Sequence, residues 1–121
     1  MRASVLALAC LVAACAGNPI EEGRELFNAG RYPEAKAHLD AVREGEYREL
    51  DARRRTTYCL YRGLVFGALG DRPNAAAWLG LAKQTEEQYP GSLNHDDVIR
   101  LKQAEQQYGP LPNTSEPPPS Q

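Results

Sequence analysis

Three cysteines and two histidines are the residues of this 121-residue chain best suited to nucleophilic catalysis or metal binding, and their spacing serves neither. Cys10 and Cys15 lie near the start, Cys59 stands alone, and His38 and His95 fall on separate helical stretches. A transition-metal site needs three or four N, S or O ligands held at short spacing. None is present in the pattern, so no metal and no cofactor are expected. No Ser or Cys nucleophile has a recognisable base and orienting group, and no glycine-rich phosphate loop occurs. The carboxylate pairs Glu21-Glu22, Glu86-Glu87 and Asp96-Asp97 sit on helices or at their ends, where they read as solvated faces. Arg53-Arg54-Arg55 suits anionic headgroups or phosphates, but Glu44, Glu46, Glu49 and Asp51 offset it locally. Cys59, among Tyr58, Leu60 and Tyr61, reads as a small buried hydrophobe. The expected protein is not an enzyme.

Those residues must be positioned by one small domain, because the length leaves no room for more. The 14 basic and 16 acidic side chains are interspersed, which excludes a nucleic-acid-binding surface and an acidic tail. The apolar residues are not evenly spread. Met1-Arg2 carries one positive charge and Ala3 to Ala14 is an uncharged run of twelve. A membrane span needs roughly 20 apolar residues, so this run is too short to cross and fits the apolar region of a signal peptide.

The run ends in Leu11-Val12-Ala13-Ala14-Cys15, which resembles the lipobox of bacterial lipoproteins. The resemblance implies cleavage of residues 1–14, acylation of Cys15, and a short lipid-anchored tether over residues 15–18. Ala16 in place of an Asp after the anchor implies an outer-membrane destination, with the protein facing the periplasm. Cys10, preceded by Ala7-Leu8-Ala9, is a poorer match. Ala14-Cys15-Ala16 is also an ordinary signal-peptidase site, and cleavage there would release a soluble protein. Several acyl chains anchor essentially permanently, whereas a single chain binds marginally.

Residues 19–108 form the expected helical domain, and they repeat. Gly30-Arg-Tyr-Pro33-Glu-Ala35-Lys-Ala37-His-Leu39 aligns without gaps on Gly70-Asp-Arg-Pro73-Asn-Ala75-Ala-Ala77-Trp-Leu79, with identity at five of ten positions. The same offset of forty pairs Gly23 with Gly63 and Leu26 with Phe66. Gly30 and Gly70 sit where a helix must stop, and Pro33 and Pro73 sit in the first turn of the next, where a missing N–H costs nothing. Each copy therefore reads as helix, tight turn, helix, with small residues letting the pair approach closely.

This arrangement is similar to the tetratricopeptide repeat. Gly63, Phe66, Gly70, Ala75, Leu79 and Ala82 match the family pattern in the second copy, and Gly23, Leu26, Gly30, Ala35 and Leu39 match it in the first. Departures are Glu22 and Arg62 at a position normally apolar, Arg72 in place of an aromatic, and a period of forty where the family has thirty-four. The longer period implies helices extended around Glu46 to Arg55 and Lys83 to Gln88. The family lines a concave face with the first helix of each repeat. Carried over, that face is Arg24, Phe27 and Asn28 in the first copy and Thr57, Leu60 and Leu64 in the second, with Tyr61 beside them. Either a peptide segment binds there or the same residues pack against the following helix.

That helix is expected from Asn94, an N-cap followed by Asp96 and Asp97 in the first turn, through Val98, Leu101, Ala104 and Tyr108 to a stop at Gly109. It should cover the apolar end of the stack. The expected fold is all-α, with two αα-hairpins and a capping helix, five helices in a short right-handed solenoid. Residues 109–121 hold five of the nine prolines and one apolar side chain, Leu111, and read as a disordered tail of polyproline character. The function these features imply is a membrane-anchored envelope lipoprotein whose repeats hold a protein partner as a scaffold or assembly factor. The alternatives are a soluble periplasmic adaptor and a homo-oligomer that completes its own stack.

Overall fold

In each copy a glycine just past the end of the first helix and a proline in the first turn of the second mark the hairpin turn, and both are visible in a computed structural model that describes residues 18–114 and 116–118. The lipobox, Cys10 and the apolar run before them lie outside the described residues, as do Ser115 and the last three positions. The described chain is all-helical: α1 Pro19–Asn28, α2 Tyr32–Asp40, α3 Glu44–Glu49, α4 Ala52–Ala68, α5 Arg72–Gln88 and α6 His95–Tyr108. No helix among the described residues is long and apolar enough to cross a membrane.

α1 and α2 form one antiparallel hairpin and α4 and α5 the other. Their turns are built alike. Gly30 (φ 75°) and Gly70 (φ 85°) take the left-handed conformation that L side chains resist. In the first turn Gly30 N–H donates to Phe27 O at 2.9 Å and Arg31 N–H to Leu26 O at 2.9 Å; in the second Gly70 N–H donates to Gly67 O at 3.1 Å and Asp71 N–H to Phe66 O at 2.9 Å. These bonds satisfy helix-end carbonyls that would otherwise be orphaned.

The contact inside each hairpin is also repeated at the forty-residue offset. A Cβ on Gly23 would stand 2.7 Å from the Leu39 side chain, and one on Gly63 would stand 2.7 Å from that of Leu79. Helix axes close to this degree only where one partner has no side chain. Leu39 and Leu79 are fully buried, and so are Ala35 and Ala75. Ala82 is likewise buried, while Leu26 and Phe66 pack half-buried against the core. The departures find partners at matched places. Glu22 meets His38 Nδ1 at 2.9 Å, and at the same two positions of the second copy the Arg62 guanidinium lies 5.2 Å from the Trp78 ring centre.

Six helices replace the five expected. The extra residues between the copies do not lengthen one helix across Glu46 to Arg55. Leu50 turns extended (φ −65°, ψ 141°) and Asp51 caps a new helix, its carboxylate accepting from Arg54 N–H at 2.8 Å, so the segment divides into α3 and α4. α3 delivers Tyr47, which is buried against Tyr58 and Cys59. α5, in contrast, runs through Lys83 to Gln88.

The expected last helix forms with Asn94 as its cap, the Asn94 side-chain Oδ1 accepting from Asp97 N–H at 2.8 Å. Beyond Gly109 the chain has no regular secondary structure but keeps contact with the domain. Leu111 packs against the core, and Pro112 crosses α5 at Gly80, its carbonyl oxygen filling the space of the missing Cβ.

Candidate functional site

The residues expected to line a concave face come from α1 and α4, and the structure brings Arg24, Phe27 and Tyr61 together. The rings of Phe27 and Tyr61 meet edge-on at 5.7 Å, and the Arg24 guanidinium lies 5.6 Å from the Tyr61 ring centre. They are not left open. Tyr61 and Leu60 have no exposed surface, Thr57 is buried with its hydroxyl donating to Arg53 O at 2.8 Å, and Leu64 and Phe27 are half-buried; Asn28 alone is exposed.

α6 is what covers this face. Tyr61 donates its hydroxyl to Asp97 Oδ1 at 2.6 Å, and Arg24 Nη2 pairs with Asp97 Oδ2 at 3.7 Å. Asp97 is only 1% exposed, and each hairpin provides it a partner, a cation from α1 and a hydroxyl donor from α4. Burial, followed by the Asp97 carboxylate, pushes the Tyr61 phenol up to about 12, which keeps it a proton donor at neutral pH. Arg100 stacks 5.7 Å from Phe27 and 5.8 Å from Tyr61, and the Tyr108 hydroxyl rests on Gly67. The trio of Arg24, Tyr61 and Asp97 acts as a latch between the repeats and α6.

The open concavity is on another face, between α2, α4 and α5, with α3 at one end. It is a trough of about 670 Å³ lined by Tyr47, Tyr58, Phe66 and Trp78 together with charged residues that include Lys36, Asp40, Arg48 and Arg62. Arg62 stands among three of its rings. Its guanidinium lies 5.7, 5.2 and 5.2 Å from the ring centres of Tyr58, Phe66 and Trp78, and its Nη1 donates to Asp40 Oδ1 at 2.6 Å. Asp40 also accepts from Lys36 Nζ at 2.6 Å. Partial burial works to raise the Asp40 carboxyl, but the hydrogen bonds from Lys36 and Arg62 outweigh it and hold the group below its usual value. Glu116, Pro117 and Pro118 of the tail form one wall. A second cavity of about 300 Å³ continues past Pro117, bounded by Tyr47, Arg48, Arg55, Leu81, Gln84, Thr85 and Gln88.

The remaining reactive groups are tied into the scaffold. Cys59 is fully buried, 3.5 Å from the Tyr47 hydroxyl, and burial pushes its thiol up to about 12 against the smaller opposing effect of that hydrogen bond. Arg55 leaves the exposed run of Arg53 and Arg54 by donating to Leu50 O at 2.9 Å and Arg48 O at 3.3 Å. Glu86 closes the loop before α6, accepting from Gly91 N–H at 3.0 Å, Ser92 Oγ at 2.6 Å and Leu93 N–H at 2.8 Å. Among the described residues no three His, Cys, Asp or Glu side chains are grouped to hold a metal ion.

Sequence reasoning singled out neither Asp97 and Arg100 as the cover of the α1–α4 face nor the trough residues Arg62, Tyr58 and Trp78. One signal for the trough was present: an arginine at a repeat position that is ordinarily apolar needs aromatic faces and a carboxylate to be accommodated there. The tail's contacts had no such signal, since Gly80 reads as one more small helical residue. Comparison with protein-family models, with curated proteins and with solved structures finds no match for this chain.

Proposed function

We propose that this protein is a lipid-anchored envelope lipoprotein whose short tetratricopeptide-like stack, a right-handed solenoid of two hairpins closed by α6, holds a protein partner as a non-catalytic scaffold or assembly factor. The observation that supports a repeat scaffold most directly is the paired contact of Gly23 with Leu39 and Gly63 with Leu79, joined to the paired glycine turns. Repeats of this kind are built from one supersecondary unit used twice, and their usual role is to present an extended binding surface. The lipobox-like Leu11-Val12-Ala13-Ala14-Cys15 supports anchoring at Cys15. Only Ala16, Gly17 and Asn18 separate that cysteine from α1, a reach of roughly 3.5 Å per residue, so the domain would sit close against the bilayer, at the periplasmic side of the outer membrane.

Metabolic labelling with a fatty acid in wild type and Cys15→Ala tests the anchor. Label in the first and none in the second is the expected result; no label in either, with the protein in the soluble fraction, would point to the secreted adaptor. Photocrosslinking in cells from Asn28 and Lys36 tests the scaffold, with a heterologous envelope protein as the expected adduct. Exclusive adducts to other copies of the chain would favour the self-assembling subunit.

A further inference from the structure

We propose that the aromatic trough between α2, α4 and α5 is a seat for an extended, proline-rich segment of a partner, and that the chain's own Glu116-Pro117-Pro118 rests across it as a resident competitor. The inference depends on the scaffold reading of the helical domain, and it is independent of the lipid anchor.

The chemistry of the trough is the first argument. Polyproline-II segments dock in grooves whose floors are aromatic faces, because the flat pyrrolidine rings stack there and the pre-formed helix loses little entropy on binding. Phe66 is half-buried and Tyr47, Tyr58 and Trp78 keep 9%, 4% and 6% of their surface with the tail in place, so these four line the trough with the Arg62 guanidinium set among three of them. A proline-rich backbone has few N–H groups and many unpaired carbonyls, so it needs donors. Arg48 and Lys36, which line the trough with 73% and 37% of their side chains exposed, supply them.

The second argument is the segment already there. The tail does not approach at random: Leu111 packs half-buried against the core, Pro112 passes over α5 where Gly80 makes room, and the Thr114 hydroxyl donates to Glu116 O at 3.1 Å and accepts from Glu116 N–H at 3.3 Å. That course delivers Pro117 to a point where, with Tyr47 and Arg48, it borders both cavities. A tethered segment is present at an effective concentration in the millimolar range, so a partner segment must outcompete it or wait until it lifts.

Trp78 is the only tryptophan, and it lies in the trough, so its emission reports occupancy. The test titrates a synthetic peptide of residues 109–121 into the full chain and into Pro117→Gly/Pro118→Gly, whose changes fall on surface positions and leave the helical core intact. The expected result is saturable binding to the variant, at least tenfold tighter than to wild type, and lost when every proline of the peptide is replaced by alanine. Absence of a saturable response in the variant would overturn the seat. Equal affinity for wild type and variant would overturn the competition, and so would a concentration-dependent dimer in wild type that disappears in the variant, since the tail would then lie on a neighbouring copy. None of these readouts involves a membrane or a fatty acid, so failure here is separable from failure of the anchor. Unaltered photocrosslinks from Asn28 would still support the scaffold.

Discussion

At Gly63 a methyl group has nowhere to go: its Cβ would stand 2.7 Å from the Leu79 side chain and 3.0 Å from the Leu79 backbone nitrogen. At Gly23 the atoms closest to an added Cβ all belong to the Leu39 side chain, which can move. Gly63→Ala is therefore expected to cost about 1–3 kcal/mol, as overpacking of a filled core does, and Gly23→Ala less, both read from urea unfolding midpoints. The Asp97 latch gives a second expectation. Tyr61→Phe removes the 2.6 Å hydrogen bond and leaves a buried carboxylate facing only the 3.7 Å pair with Arg24, a loss of about 1–3 kcal/mol by the cost of an unsatisfied buried acceptor. A loss within experimental error in Tyr61→Phe would mean that Arg24 alone neutralises Asp97. The matched positions Glu22 with His38 and Arg62 with Trp78 show one seat in the repeat filled by two chemistries, an ionisable contact and a cation stacked on a ring.

The junction between α5 and α6 depends on Glu86, whose carboxylate gathers the loop at Gly91, Ser92 and Leu93. Partial burial works to raise its carboxyl, but the Ser92 hydroxyl and the backbone N–H groups outweigh that and set it below the ordinary 4.5. Because the folded value is the lower one, its contribution is complete above the ordinary value and disappears as pH falls through the depressed one. Asp40, also lowered from its ordinary 3.8, acts in the same direction. Stability measured from pH 6 down to pH 3 should therefore fall, and Glu86→Gln should flatten part of that slope without reversing it; an unchanged slope would remove Glu86 from the account. At this scale the sequence was legible in proportion to how local the determinants are. The helical class, the glycine turns and the Asn94 cap depend on a few consecutive residues, and the forty-residue offset marks the positions where Gly23 meets Leu39 and Gly63 meets Leu79. The break at Leu50 was missed because the helical spacing on either side continues through it, although Asp51 three residues before Arg54 is a capping signal. The trough was missed for a different reason: its rings come from α3, α4 and α5, and no local spacing reports that they meet.

Taken whole, the molecule keeps its one described cysteine at the centre of the fold. Cys59 is fully buried among aromatic residues with its thiol pushed up to about 12, first by burial, so both access and thiolate character are low. Alkylation at Cys59, located by mass spectrometry, is expected to be negligible in native buffer and to rise with urea in step with the loss of helical circular dichroism. Labelling that precedes unfolding would reveal a local opening of α3 away from α4, since Tyr47 covers the sulfur. The two hairpins are unequal in how much they bury. α1 and α2 bury Ile20, Gly23, Ala35 and Leu39, whereas α4 and α5 bury fifteen residues from Thr56 to Thr85. This asymmetry has a mechanical meaning. Tension applied at Asn18, whose side chain caps α1, enters the molecule through its least buried hairpin and must first pull Arg24 from Asp97 and Phe27 from Tyr61. The chain is thus built to peel from that end like a strip, with α4 and α5 still paired while the first hairpin, and with it the α2 side of the trough, has already given way.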